Sequence, residues 1–148
     1  MKLVEITEKN WLEVLFLTSN KSGIPTLCEE YVASNALSIV QAHYENGWII
    51  KAIENDSELI GFTMYGYCED HHFYELCRIL IDRKHQNKGY GTQAIKLVLE
   101  EMKSIDGCKE VYLSTEPDNL IGKHVYEKIG FVAENKKIEN EDLYKFVF

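Results

Sequence analysis

The segment from Arg78 to Ala94 constrains the fold more than any other part of the chain, because it combines a strand, a turn and the start of a helix. The short β-branched run Ile79-Leu80-Ile81 predicts a buried strand, and apolar residues at helical spacing from Thr92 to Met102 predict a helix. Gly89 and Gly91 lie between the two and carry no side chains. The free N–H groups of a first helical turn then face outward, and such a turn favours a bound phosphate.

Length and charge limit the class of protein. We expect one domain, residues 1–148, because 148 residues can bury one sizeable core but not two comfortable ones. A formal charge of −8 argues against a nucleic-acid partner and is compatible with a cationic substrate, although charge alone is better explained by ordinary solubility. The longest uncharged stretch, Tyr31 to Tyr44, contains too many polar residues to cross a bilayer, so we expect no membrane segment and a cytoplasmic location.

The metal-binding residue types form no familiar pattern along the sequence. The cysteines stand far apart, which suggests reduced thiols and neither a zinc ribbon nor a thioredoxin-type site; they are Cys28, Cys68, Cys77 and Cys108. His71 and His72 are neighbours without a third patterned ligand, so no metal is expected.

The order of the predicted elements is mixed α and β. An opening strand, Lys2 to Ile6, is followed by a helix that Thr7 can cap. The apolar stripe of this helix is assigned to the core and consists of Trp11, Leu12, Leu15 and Phe16. A second helical region spans Thr26 to Tyr44. Three strands then form an antiparallel meander and lead into the glycine turn: Trp48–Ile53, Leu59–Tyr67 and Phe73–Asp82. After the helix that follows the glycine turn comes the strand Glu110–Thr115, which should pair in parallel with the strand Phe73–Asp82. A helix capped by Asp118 or Asn119 comes next. The strands Phe131–Glu134 and Leu143–Phe148 then form a closing hairpin around residues 140–142.

Three phosphate-binding motifs compete at the glycines. Gly89 to Ala94 matches the dinucleotide pattern G-x-G-x-x-A, but the six residues Arg83 to Lys88 separate the strand from the first glycine, and too little chain follows for a second nucleotide half. A P-loop requires Gly-Lys-Ser/Thr, which does not follow. The third motif fits, because Gln86-Asn87-Lys88-Gly89-Tyr90-Gly91 resembles the Q/R-x-x-G-x-G/A signature of the GNAT superfamily of acyl-CoA-dependent N-acyltransferases.

The resemblance extends over roughly the C-terminal half, where Val125 to Phe131 is similar to the family's aliphatic-Tyr-x-x-x-Gly-Phe ending. It implies an α+β (α/β mixed) fold: a central, mostly antiparallel sheet with one parallel, splayed strand pair and flanking helices. Within the superfamily the chain looks most like the small spermine/spermidine acetyltransferases. Alignment on the glycines, however, puts Cys77 and Arg78 where an acidic pair would be expected in that group.

The resemblance also implies which residues bind acetyl-CoA, the expected cosubstrate. Backbone groups of Ile79 and Ile81 would bind the pantetheine arm, and the backbone amides of the glycine turn would bind the pyrophosphate; the turn is Gln86, Asn87, Lys88, Gly89, Tyr90, Gly91 and Thr92. Tyr126 matches the family's general acid. Asn119 lies seven residues earlier, which places both on one helix face toward the cofactor.

The general base and the acceptor site are less constrained. Glu75 and Cys77 alternate onto one face of the strand that leads to the turn, so Glu75 is a candidate base, or else an ordinary exposed strand residue. His71 and His72 are alternative bases or solvent-facing histidines. Four further acids would line the acceptor side of the cleft: Glu29, Glu30, Glu69 and Asp70.

Together these features predict transfer of an acetyl group to a primary amine, with a small polyamine as the favoured acceptor. The alternatives are a protein N-terminal or lysine acetyltransferase, an aminoglycoside acetyltransferase, and a GNAT domain that binds acyl-CoA without catalysis. A homodimer is a further expectation.

Overall fold

The computed structural model describes residues 1–20 and 34–148. The helices are α1 (Trp11–Phe16), α2 (Asn35–Tyr44), α3 (Tyr90–Lys103) and α4 (Leu120–Ile129). The strands are β1 (Lys2–Glu5), β2 (Trp48–Asn55), β3 (Glu58–Cys68), β4 (Phe73–Ile81), β5 (Glu110–Thr115), β6 (Val132–Ile138) and β7 (Glu141–Val147).

The strands form one sheet with the order β1-β2-β3-β4-β5-β7-β6. Every neighbouring pair in it is antiparallel except β4 and β5, which run parallel because α3 connects them across one face of the sheet. The predicted fold class is therefore confirmed, including the meander that leads into the turn.

A bulge in β4 changes the direction of its side chains. Met64 pairs with Arg78 and Tyr65 pairs with Leu76, so Cys77 is an extra residue on β4. Tyr74 and Leu76 point to one face before the bulge, and Ile79 and Ile81 point to that same face after it.

The parallel strands separate soon after they meet. Within the described chain, β4 and β5 share the single register pair Glu75 and Tyr112, although β4 continues to Ile81. The backbone of β4 beyond this pair therefore has no β5 ladder partner toward the glycine turn, and this unpaired stretch between the two strands is called the gap below.

Each face of the sheet has its own hydrophobic core. The helices α3 and α4 cover one face, where Val98 and Met102 are fully buried against Tyr65 and Val111. The helices α1 and α2 cover the other face, where Val14 packs on Phe62 and Met64.

Several predictions in the N-terminal half require correction. The α1 stripe is not a core stripe, because Trp11, Leu12 and Phe16 are all exposed and Val14 is the buried residue of this helix. Asn10, rather than Thr7, precedes α1 as the N-cap residue, and its Oδ1 accepts a hydrogen bond from the Thr7 amide. Residues 26–33 of the second predicted helical region lie outside the described residues, and α2 begins at Asn35.

The closing hairpin turns one residue earlier than expected. Glu139 and Asn140 both have positive φ, which is the geometry of a tight two-residue turn, so β7 begins at Glu141. None of the described helices is long and apolar enough to cross a membrane.

Candidate active site

The glycine turn presents a row of backbone amides at the start of α3. Asn87 and Gly89 are both left-handed, with φ of 61° and 77°, and the first hydrogen bond of the helix runs from the Gln93 amide to the Gly89 carbonyl. The amides of Tyr90, Gly91 and Thr92 therefore have no acceptor inside the helix. Since Gly89 is the N-cap residue, no side chain of this described turn caps the helix, and the end of α3 is suited to an anion.

The space in front of these amides is open. A Cβ atom added to Gly89 would meet no heavy atom within 4 Å, and one added to Gly91 would meet only Ile81 Cγ1, at 3.9 Å, in the described structure. Three exposed cations, Arg83, Lys84 and Lys88, come shortly before Gly89 in the chain. The turn can thus accommodate a phosphate against bare backbone, with positive charge at its edge.

The side chain of Gln86, a predicted cofactor-binding residue, already forms hydrogen bonds within the protein. Its Nε2 donates to the carbonyls of Ile81 at 3.1 Å and Ser19 at 3.3 Å. The buried Asp82 carboxylate accepts from the amides of Thr18, at 3.2 Å, and Lys84, at 3.0 Å. These bonds join the turn to residues 18–19, so a ligand could use the backbone of Gln86 but would have to compete for its side chain.

Ile79 and Ile81 lie where the gap between β4 and β5 has opened. Their side chains pack against Ile53, Ile60 and Ala94 on the α3 face. Their backbone borders the gap, as a pantetheine-binding strand requires, although the Ile81 carbonyl already accepts the Gln86 amide.

Tyr126 and Asn119 meet through a residue that the sequence analysis did not single out. Asn119 Nδ2 donates to Thr115 Oγ1 at 2.8 Å, and Thr115 forms a side-chain hydrogen bond with Tyr126. Asn119 is the N-cap residue of α4 rather than part of its face, and its Oδ1 accepts the Gly122 amide at 3.0 Å. The two predicted residues are therefore linked at the end of β5, but not by sharing a helix face.

The surroundings of Tyr126 keep its hydroxyl protonated. Burial, followed by the negative charge of Glu141, raises the pKa of Tyr126 to about 12, and the hydrogen bond from Thr115 opposes this shift. Asn119 therefore holds the Thr115 hydroxyl, and that hydroxyl in turn contacts the Tyr126 hydroxyl.

Glu75 lies on the opposite face of the sheet and is buried, so its interpretation as an ordinary exposed residue is wrong. Its carboxylate lies 3.4 Å from His71 Nδ1 and also forms a side-chain hydrogen bond with Cys68. Burial raises the pKa of Glu75 above its ordinary value, while His71, Cys68 and Arg78 oppose the shift. A carboxylate of raised pKa beside a gap is suited to accept a proton.

The predicted acceptor-side acids are divided between described and undescribed parts of the chain. Glu69 and Asp70 are exposed in the turn between β3 and β4, a few residues before Glu75. Glu29 and Glu30 lie outside the described residues.

Comparison with known proteins agrees with this geometry. A sequence model of the Acetyltransferase (GNAT) family matches residues 14–131. The spermine/spermidine N(1)-acetyltransferase of Bacillus subtilis (strain 168) is 33% identical over 132 residues, which are 85% of this chain and 84% of that protein.

Solved structures show the same fold. A chimera of the spermidine N-acetyltransferase SpeG from Vibrio cholerae superposes with a TM-score of 0.71 and 21% identity, covering 98% of this chain and 93% of that one. A GNAT family acetyltransferase from Elizabethkingia anophelis, solved with acetyl-CoA bound, superposes with a TM-score of 0.64 and 21% identity, covering 87% of this chain and 95% of that one. The chain belongs to the acetyltransferase (GNAT) family, and its reaction class is acyl-CoA-dependent N-acetyl transfer.

The open space at Gly91 generates a prediction about the cosubstrate. Gly91→Ala should leave the fold intact, because the new methyl group meets only one atom, at ordinary contact distance. It should raise the Kd of acetyl-CoA at least tenfold, which is ~1.4 kcal/mol, because the methyl group occupies the space in front of the amides. Isothermal titration calorimetry measures the affinity, with the exposed Gln93→Ala on the same helix as the control. Unchanged affinity in folded Gly91→Ala would place acetyl-CoA elsewhere.

Proposed function

We propose that this chain acetylates a primary amine of a small polyamine, with acetyl-CoA bound at the glycine turn and Tyr126 as the general acid. The observation that carries the proposal is the gap between β4 and β5, with a buried carboxylate at one face and a protonated phenol at the other. The named activity of the Bacillus subtilis relative supports the substrate class.

The acetyl-CoA pyrophosphate is assigned to the amides of the glycine turn, with Arg83, Lys84 and Lys88 supplying the surrounding positive charge. The pantetheine arm is assigned to the β4 backbone at Ile79 and Ile81, where β5 has moved away. This path delivers the thioester to the gap, where both Glu75 and Tyr126 can be reached.

Tyr126 is assigned the proton for the departing sulfur. With a pKa of about 12 it is a phenol rather than a phenolate throughout the physiological range. Thr115 and Asn119 act as positioning residues, because their linked hydrogen bonds hold the phenol oxygen in place. After giving its proton to the thiolate, Tyr126 takes one from the nitrogen that has formed the new C–N bond, which completes the amide.

Glu75 is assigned the first proton, which an ammonium substrate must lose before its nitrogen can attack the carbonyl carbon. Glu75 pairs with Tyr112 across the sheet, and Thr115 lies three residues farther along β5, or about 10 Å at the rise of a strand. We therefore assign no direct proton exchange between the acid and the base. Glu75 passes its proton to solvent, and a water molecule can bridge it to the amine.

The distribution of charge supports a polycationic acceptor. Glu69 and Asp70 are exposed at the end of the sheet where Glu75 lies, and three exposed cations, Arg83, Lys84 and Lys88, lie in or beside the glycine turn. A polyamine would be drawn to one end and the phosphates of acetyl-CoA to the other. Arg78 lies close enough to lower the pKa of Glu75, and this cation sets a limit on how many positive charges the acceptor can place beside the carboxylate.

The cellular context is part of the proposal. The described cysteines Cys68, Cys77 and Cys108 are free thiols, which a reducing compartment such as the cytoplasm maintains. A homodimer is also proposed, with β6 as the edge strand of the sheet and Val132 exposed on it. Light scattering coupled to size-exclusion chromatography measures the oligomeric state.

Replacing Tyr126 by Phe removes the proton and keeps the ring that packs on Phe131 and Tyr144. We expect kcat to fall by about 10²-fold or more, while the Kd of acetyl-CoA stays unchanged. Tyr144→Phe is the matched control, because the Tyr144 hydroxyl bonds Glu127 instead and should be dispensable for turnover. A Tyr126→Phe enzyme as active as the wild type would exclude this residue as the acid.

The raised pKa of Glu75 predicts the pH dependence. Because the pKa of Glu75 is raised, its carboxylate forms only at a pH above the usual carboxyl range, and kcat/KM should rise with pH through that limb. Glu75→Gln should lower kcat/KM and abolish this limb, while a limb due to the amine itself remains in both enzymes. The control is Glu8→Gln, an exposed acid near α1. A limb that persists in Glu75→Gln would assign the base to another group.

The substrate class is tested by thiol release from acetyl-CoA with a panel of spermidine, spermine, simple diamines, aminoglycosides and short peptides. Spermidine or spermine should have the highest kcat/KM, and this value should decrease with ionic strength because salt screens the acids. The Glu69→Gln/Asp70→Asn double variant should weaken both the activity and its salt dependence, with acetyl-CoA affinity retained. A peptide, a neutral amine or an aminoglycoside that outperforms every polyamine would replace the polyamine as the proposed acceptor.

A further inference from the structure

Three side chains of different chemistry converge beside the β3–β4 turn. Cys68 ends β3, His71 lies in the turn and Glu75 lies on β4, and one donor atom from each falls within 4.8 Å of the other two. We propose that these residues bind a zinc ion, and that the bound ion inhibits acetyl transfer by occupying the Glu75 carboxylate. The binding site stands on the geometry alone, whereas the inhibition rests on the role of Glu75 in the proposed function.

The backbone holds the three residues in place without a metal. The His72 amide donates to the Cys68 carbonyl at 2.8 Å and closes the turn, with His72 itself in the left-handed region at φ 58°. Cys68 pairs with Phe73 in the ladder, and Glu75 follows Phe73 on the same face. The cluster is therefore built on two paired strands and the tight turn between them.

Aromatic packing restricts the histidine ring. The His71 ring lies 5.2 Å from the ring of Phe73, which in turn stacks on Tyr112 at 4.4 Å. This leaves His71 Nδ1 toward Glu75, at 3.4 Å from its carboxylate oxygen. Tetrahedral zinc ligands stand about 3.3 to 3.8 Å apart at normal bond lengths, so a small side-chain movement would suffice to close the site.

The donor set suits zinc. One thiolate, one imidazole and one carboxylate are ligands that zinc accepts in a tetrahedral arrangement, with the fourth position left for water. The backbone amides of Asp70 and His71 both donate to the Cys68 sulfur. N–H bonds to sulfur favour the thiolate, which is the form that binds a metal.

The charges also balance. The thiolate and the carboxylate together neutralise a divalent ion, so the complex carries no net charge of its own. Arg78 is the cation whose charge reaches Glu75, and its Nη1 is held by the carbonyl and sulfur of Cys77.

The first experiment measures the site without any turnover. Co²⁺ is titrated into the reduced protein in the absence of acetyl-CoA, and the thiolate-to-cobalt charge-transfer band and the visible d–d bands are followed. The wild type should bind one Co²⁺ per chain with tetrahedral d–d intensity, and Zn²⁺ should displace it. Cys68→Ser should lose the charge-transfer band and bind more than about 100-fold more weakly, since even the outer partners of metal ligands are worth 10- to 100-fold.

Matched variants separate the site from general effects. His71→Ala should also weaken binding, whereas the adjacent His72→Ala and the core cysteine variant Cys108→Ser should bind Co²⁺ as the wild type does. Thermal unfolding without metal establishes that each variant is folded, and Zn²⁺ should raise the Tm of the wild type but not of Cys68→Ser. Absence of Co²⁺ binding by the wild type, or a charge-transfer band that survives in Cys68→Ser, would overturn the site.

The second experiment measures the consequence for turnover. Zn²⁺ should inhibit the wild type reversibly, with a chelator restoring activity, and the ratio of activity with and without Zn²⁺ should be close to one for Cys68→Ser. Site binding that leaves wild-type turnover unchanged would overturn the inhibition and would exclude Glu75 as the base, while the metal site itself would stand. The two failures are therefore distinguishable.

Discussion

The separation of β4 from β5 is the constraint on which the site depends. A parallel pair with a single register partner leaves backbone unpaired inside the sheet, and an unpaired strand edge is normally a liability that a protein covers. The uncapped start of α3 follows β4 in the chain, so the free amides of the helix lie near the β4 backbone at the gap, where the Ile81 carbonyl is the group already bonded, to Gln86. One elongated polar ligand can satisfy both. The backbone groups that the fold leaves without partners thus lie where a cosubstrate can bond them.

The bulge at Cys77 explains how one strand serves two purposes. Without the extra residue, strict alternation would carry Tyr74 and Leu76 to one face and Ile79 and Ile81 to the other. With the extra residue, apolar side chains from both ends of β4 point to the face that α3 covers, and Glu75 lies on the opposite face beside the gap. The position of the carboxylate and the continuity of the core therefore have the same cause.

The sequence predicted the C-terminal half well because its signals are local. The bounds of β5, the cap at Asn119 and the end of α4 at Gly130 all follow from residues within one turn of the element. The exposed face of α1 could not be predicted in this way, because Trp11, Leu12 and Phe16 have the same spacing whether or not a sheet lies beneath them. Burial of Glu75 and its approach to Cys68 depend on strand pairing across the turn, and Thr115 gains its significance only from two residues that fold back onto it.

The attachment of the glycine turn to residues 18–19 has a mechanical consequence. Asp82 and Gln86 each bond this segment directly, and the Arg83 amide donates to the Thr18 carbonyl at 2.8 Å. A displacement of the phosphate-binding loop is therefore transmitted to the stretch of chain that leads out of α1. Because three hydrogen bonds join the two segments, the turn cannot shift without either breaking these bonds or carrying residues 18–19 with it.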